Sequence, residues 1–289
     1  MSFRDLIFNH LYHSDINYII LSLDFGSPAL ERFIRTKDRR FINVGICEQN
    51  AVTVAAGLWD SGVYPIVYSI SSFLYSRAFE QIKLLFALQR RRALFVGVGS
   101  GYGYAYDGPT HHALDEVSVL GPLPGLSLYK PSNETHLTHT LSQTLEKQEF
   151  SYYRLDRGTS DFSLFQIDDI SVSSFRYFEV LHSTPVAIIS NGLLFNRIAL
   201  RYNDRYSLIN FHTVHFNAKE ELEVYFKERY TDIYVVAFEF EYFGMDALIR
   251  AACSGMSTKV HSIGVTPSTY KHYKDEDKLI QELLYARIP

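Results

Sequence analysis

Short runs of β-branched and aromatic residues alternate with segments of helical length from one end of the chain to the other. That alternation is the pattern of parallel sheets joined by crossover helices, and it limits the fold more than any other feature. In the first half, Tyr18–Leu23, Phe41–Gly45, Pro65–Ile70, Ala93–Val98 and the run from Ser151 read as strands. Glu48–Trp59, rich in small apolar residues and followed by Gly62, reads as a buried helix with a stop signal. Phe79, Ile82, Leu85 and Phe86 recur three and four residues apart and predict an amphipathic helix over Phe79–Leu88. In the second half, Val186–Ser190, Tyr206–Phe211, Ile233–Phe238 and Lys259–Val265 read as strands. Leu193–Arg201, Lys219–Arg229, Met245–Ser254 and Asp275–Tyr285 read as helices. The stretch between the halves is polar and without a period. The expectation is therefore α/β: two domains, 1–160 and 180–289, each a mostly parallel sheet flanked by helices, with 161–179 as linker.

A length of 289 residues suits about two such domains. Lys plus Arg number 28 against 32 acidic residues, so the basic excess of a nucleic-acid binder is missing. No apolar run approaches the ~18 residues of a membrane span. Met1-Ser2-Phe3-Arg4-Asp5 does not open like a secretory signal. Cys47 and Cys253 form neither a disulfide framework nor a zinc pattern, so a reducing cytoplasm is the expected location.

Four local constellations bear chemistry. In Asn43-Val44-Gly45-Ile46-Cys47-Glu48-Gln49, a strand ends at glycine and a carboxylate opens an apolar helix. Glu48 there either complements the helix dipole or does chemistry. Ser71-Ser72-Phe73-Leu74-Tyr75-Ser76-Arg77-Ala78-Phe79 is an aromatic cluster at a strand-to-helix junction. The loop from Gly97 to His112 is glycine-rich, but no register of G-x-G-x-x-G fits it: Tyr102, Tyr104 or Tyr106 takes the third position each time. Adjacent His111 and His112 do not converge on one metal ion. Finally, Tyr152-Tyr153-Arg154-Leu155-Asp156-Arg157 is a strand whose arginines suit either an anion or an ion pair.

In order and spacing these four runs resemble the pyrimidine-binding domain of transketolases and deoxyxylulose-phosphate synthases. The matching residues are Gly45-Ile46-Cys47-Glu48-Gln49, Phe73, Arg77-Ala78-Phe79-Glu80-Gln81, Asp107-Gly108-Pro109-Thr110-His111 and Arg154-Leu155-Asp156-Arg157. The resemblance covers roughly residues 1–160, and 180–289 resemble more weakly the family's C-terminal domain. It implies dependence on thiamine diphosphate, with Glu48 hydrogen-bonding N1′ of the aminopyrimidine and so promoting loss of the coenzyme's C2 proton. Burial among Ala51 and Val52 is expected to keep a proton on that carboxyl. Phe73 and Phe79 are implied to wall the ring, with Asp24 also on the cofactor side. Asp107, His111 and Ser100 are implied to face the sugar, His111 moving a proton, and Arg157 to take a terminal phosphate.

Two departures sharpen the expectation. Where such transketolases carry a substrate-binding His, this chain has Gly99, and Tyr102, Tyr104 and Tyr106 follow, which suggests a modified, larger or nucleotide-linked sugar. No Gly-Asp-Gly, the family's Mg²⁺ signature, occurs anywhere in the chain. The resemblance then implies the C-terminal subunit of a split transketolase. A separate N-terminal subunit would supply the Mg²⁺ and diphosphate site, and the two would assemble as an α₂β₂ heterotetramer moving two-carbon ketol units between sugars. Two alternatives remain open: a beta-type subunit of a 2-oxo acid dehydrogenase or decarboxylase, and a non-catalytic partner that retains the fold.

Overall fold

Seven strands align in the first of two sheets of the computed structural model. The structure describes residues 1–24, 26–157, 172–174, 178–181, 184–202, 204–215, 217–266 and 276–289. Strands β1 (Tyr18–Ser22), β2 (Phe41–Asn43), β3 (Tyr64–Ile70), β4 (Leu94–Val98), β5 (Ser127–Tyr129) and β6 (Ser151–Leu155) are all parallel. Helices α1 (Phe3–Tyr12), α2 (Leu30–Arg35), α3 (Glu48–Asp60), α4 (Ser71–Arg77), α5 (Phe79–Gln81), α6 (Glu116–Leu120) and α7 (Glu134–Lys147) cover its faces. Alternate strand residues explain the two layers. Ile20, Ile66 and Val96 join Phe8 of α1 and Leu141 of α7, whereas Leu21, Val67 and Phe95 join Val52 of α3 and Leu74 of α4.

The second sheet holds β7 (Val172–Ser174), β8 (Glu179–Leu181), β9 (Val186–Ser190), β10 (Ser207–Asn210), β12 (Asp232–Phe240) and β13 (Lys259–Val265), in the order β13-β12-β9-β10-β8-β7. Its β9, β10, β12 and β13 run parallel, while β7 and β8 form an antiparallel margin. Helices α8 (Gly192–Tyr202), α9 (Ala218–Phe226), α10 (Met245–Ala252) and α11 (Glu276–Leu279) complete it. The α/β expectation therefore holds. The short β11 (Thr213–Val214) leaves this half and pairs antiparallel with β5, as the seventh strand of the first sheet.

Details differ from the sequence reading. Helices α1 and α7 were not expected; each has an N-cap side chain, Ser2 accepting from Asp5 N–H and Asn133 from His136 N–H. The amphipathic run after Phe79 breaks after α5 into a π-helical turn, Ile82–Ala87, which keeps Ile82, Phe86 and Ala87 buried. A similar turn, Ile280–Leu284, interrupts the C-terminal helix, whose expected first residue Asp275 lies outside the described residues. Of the span read as linker, β7 and the start of β8 belong to the second sheet, and most of the remainder lies outside the described residues.

Beside β11, His136 of α7 and His212 sit ring to ring, with centroids 4.0 Å apart. Neither nitrogen of His136 has a hydrogen-bond partner among the described residues, and Nδ1 of His212 meets Thr213 Oγ1 at 2.7 Å. Burial, helped by His139, pushes His136 down to about 4, and burial with both other histidines depresses His212. Both rings therefore take up a proton more readily in the unfolded chain than in the fold. Their contribution is full above the ordinary histidine value of 6.5 and is lost as pH falls from there toward 4. His136 alone corresponds to about 3 kcal/mol. Urea midpoints should drop between pH 7 and 4, and His136→Leu should flatten the drop. Parallel drops in the two proteins would assign the loss to other groups.

Candidate active site

The parallel strands of the first sheet deliver their carboxyl ends, and the turns that follow them, to one edge; open α/β sheets bind ligands at such an edge. Beyond β1, Asp24 adopts φ +51° and exchanges two 3.3 Å hydrogen bonds with Asn43 at the end of β2. Asn43 Oδ1 also accepts from Gly45 N–H at 2.9 Å, closing the turn into α3. Cys47 stands at the N-cap of α3 without capping it, its thiol donating to the Val44 carbonyl instead. Glu48, the next residue, is buried at the first helical position.

Strand β3 runs straight into α4, which places Phe73 and Arg77 one turn apart on the same face. The Arg77 guanidinium donates from Nη1 to Glu48 Oε1 at 2.8 Å and lies over the Phe73 ring, 3.9 Å from its centroid. Phe73 in turn meets His111 edge-on at 4.8 Å. Thr110 Oγ1 lies 2.9 Å from His111 Nδ1, and the Tyr104 ring is 5.8 Å from the imidazole. Arg157 covers Tyr104 at 4.5 Å, and its Nη1 approaches Asp107 Oδ2 at 3.6 Å. Glu48, Phe73, His111, Arg157 and Asp107 thus form one continuous row, with Arg77 as the link between the first two. Sequence reading placed Arg77 in the matching run but gave it no task; its spacing of four from Phe73 was the available signal.

Three predicted residues stand apart from this row. Asp24 lies at the same sheet edge but bonds to Asn43 rather than to Glu48. Phe79 packs against the core and lines a separate cavity of about 550 Å³ with Tyr75, Lys83 and Asp115. Ser100 is buried, and its hydroxyl donates to Asp156 Oδ1, a carboxylate also held by Lys130 Nζ at 3.2 Å and Leu193 N–H at 2.7 Å. Of the three loop tyrosines, Tyr102 and Tyr104 are buried and Tyr106 is exposed. Gly99, at φ +88°, has the reason for its identity here, since any Cβ would enter the Tyr104 ring.

The row fits an aminopyrimidine ring. A half-buried Phe73 offers a flat apolar wall, and Glu48 keeps Oε2 without a hydrogen-bond partner among the described residues while Arg77 occupies Oε1. Among the described residues no group of three His, Cys, Asp or Glu side chains is arranged to hold a metal ion. No helix among them is long and apolar enough to cross a membrane.

Residues 4–160 match the transketolase pyrimidine-binding domain. A 1-deoxy-D-xylulose-5-phosphate synthase of Syntrophomonas wolfei is 34% identical over 159 residues, 55% of this chain and 25% of that enzyme. An apulose-4-phosphate transketolase subunit of Phocaeicola vulgatus is 28% identical over 192 residues, 66% of this chain and 61% of that subunit. The chain thus spans about a quarter of the first relative and less than two thirds of the second. Among solved structures, a split-gene transketolase described as an inactive β₄ tetramer superposes with a TM-score of 0.79 at 18% identity, covering 98% of this chain and 93% of that one. The chain belongs to the thiamine diphosphate-dependent transketolase family and has the fold of a split-gene transketolase chain.

Proposed function

We propose that this chain is the pyrimidine-binding, beta-type subunit of a two-component transketolase that transfers a two-carbon ketol unit between sugars or sugar phosphates. A separate N-terminal-type subunit holds the diphosphate through Mg²⁺, the pair assembles as α₂β₂ in the cytoplasm, and residues 1–160 and 180–289 act as two domains. The observation that carries this reading is the contact of Arg77 with both Glu48 and Phe73, because it fixes a carboxyl group beside an aromatic wall. Similarity to a subunit of apulose-4-phosphate transketolase supports the two-component form.

Thiamine diphosphate, when bound, supplies the carbon–carbon bond chemistry. Glu48 would hydrogen-bond N1′ of its pyrimidine and move a proton there, while Arg77 holds the carboxyl in place. Phe73 would wall the ring, in edge-on contact with His111. His111 moves a proton at a sugar hydroxyl. Arg157 receives a terminal phosphate. Its 3.6 Å pairing with Asp107 is half-exposed, so exchanging that carboxylate for a phosphate costs less than about 1 kcal/mol. Asp107, once released, reads a hydroxyl. The buried Ser100 keeps its structural bond to Asp156 and takes no part.

In the reconstituted two-subunit complex, Glu48→Gln should lower turnover by at least ~10²-fold with little change in thermal midpoint. An unimpaired variant would remove Glu48 from the mechanism. The complex should turn over ketose phosphates such as xylulose 5-phosphate and leave pyruvate untouched; the reverse preference would favour the 2-oxo acid alternative. Arg77→Met leaves Glu48 buried without its donor and should destabilise the chain by about 1–3 kcal/mol in urea. Arg35→Met, which breaks the exposed pair with Glu31, should cost less than about 1 kcal/mol. Equal losses would show that the Arg77–Glu48 contact behaves as an ordinary surface pair.

A further inference from the structure

Arg154, in the middle of the first sheet on β6, is fully buried and charged. Its Nε donates to Glu116 Oε2 at 2.7 Å, and its Nη2 donates to Glu239 Oε1 at 2.8 Å. Both carboxylates are buried as well. Glu116 opens α6 in the first half, whereas Glu239 lies near the end of β12 in the second sheet. A buried ionic triad is an expensive way to hold two sheets together, because apolar side chains of similar volume would do so without desolvating three charges. Registry is the use that such groups serve best.

The outer oxygens show what is being registered. Glu239 Oε2 accepts from the Met245 N–H at the start of α10, 2.7 Å away, and Gly244 leaves room for that carboxylate because a Cβ there would enter it. Glu116 Oε1 accepts from the hydroxyl of Ser71, the first residue of α4, and Tyr152 OH lies 3.0 Å from the same hydroxyl. Gly97 on β4 is bare where these two hydroxyls meet. Two further bonds tie α4 to the segment that leads into Glu116: Ser72 Oγ donates to the Thr110 carbonyl at 3.2 Å, and Tyr75 OH donates to Asp115. That segment also carries His111. The second sheet is therefore connected through Glu239, Arg154, Glu116 and Ser71 to the helix that presents Phe73 and Arg77.

We propose that Arg154 is a positioning residue for the ring-binding helix, transmitting the placement of the second sheet, through Glu239 and Glu116, to α4 and so to Phe73 and Arg77. The proposal rests on the reading of Phe73, Arg77 and Glu48 as the ring site, but its first readout does not need that reading. In the full chain, Glu239→Gln keeps the shape of the side chain and removes the charge that Arg154 grips. Backbone hydrogen exchange over residues 71–78 should rise by about tenfold or more while exchange in α8 stays unchanged. Glu239→Asp keeps the charge, draws the carboxylate back by one methylene, and should produce a smaller rise in the same segment. In the complex with its partner subunit, Glu239→Gln should weaken thiamine diphosphate binding by about tenfold, read by titration calorimetry, with the donor KM changed less than about twofold.

Unchanged exchange over 71–78 in a folded Glu239→Gln or Glu239→Asp chain overturns the proposal. So does a rise spread evenly over the whole chain, because that is the signature of lost global stability. If Glu48→Gln proves harmless while exchange in α4 still responds to Glu239, the function reading fails and the coupling stands.

Discussion

One guanidinium holds the candidate site together. Arg77 spends its hydrogen bond on Glu48 and its face on Phe73, so the position of a carboxyl group and the position of an aromatic wall are not independent. Lysine has neither the planar face nor the fork to do both. The geometry rests on local rules: α4 follows β3 without a loop, α3 begins at Glu48, and a spacing of four brings Phe73 under Arg77. Everything farther along the row, from His111 to Arg157, is placed by contact with Phe73 or with Tyr104.

The glycine-rich loop shows how backbone can be shaped for packing rather than for binding phosphate. Gly97 clears space for the Tyr152 and Ser71 hydroxyls, and Gly99 clears space for the Tyr104 ring. Both glycines therefore make room for side chains packed next to the candidate site. The absence of a G-x-G-x-x-G register and the burial of Tyr102 and Tyr104 have this common cause: the loop folds over aromatic rings, so its amide groups are not displayed to a ligand as a nucleotide cradle requires.

The long central strands were legible in the sequence because a strand buried on both faces reads as a continuous apolar run, as Leu94–Val98 does, whereas the three-residue β5, β7 and β8 were not expected. Helix α7 was not, because its apolar row Leu137, Leu141 and Leu145 is interleaved with buried His136, Thr140 and Thr144, which read as polar. Strand β11 is two residues long and is created by its partner β5, so no local pattern announces it. Within the site, motif spacing located Glu48, Phe73, Asp107, His111 and Arg157, and the structure brings all five into one row. Ser100 and Phe79 failed to join it for a reason that spacing cannot express. Each lies one turn or one loop step from the row, and its side chain is claimed by a different neighbour, Asp156 in one case and the apolar core in the other.

The surroundings of Glu48 bear on the two-subunit assembly proposed above. The carboxylate is buried, yet Ile46, two residues earlier, is 73% exposed, and Ile42 and Val54 on either side are exposed too. Apolar side chains left in water on the elements that lead into and out of Glu48 are an unfavourable arrangement for a free-standing chain. A second polypeptide laid over these isoleucines would remove that apolar surface from water and close the pocket in a single step. With water excluded, the Arg77–Glu48 contact would strengthen and hold that side chain more firmly in place. In the proposed two-subunit assembly, association and closure of the pocket beside Glu48 would be the same physical event.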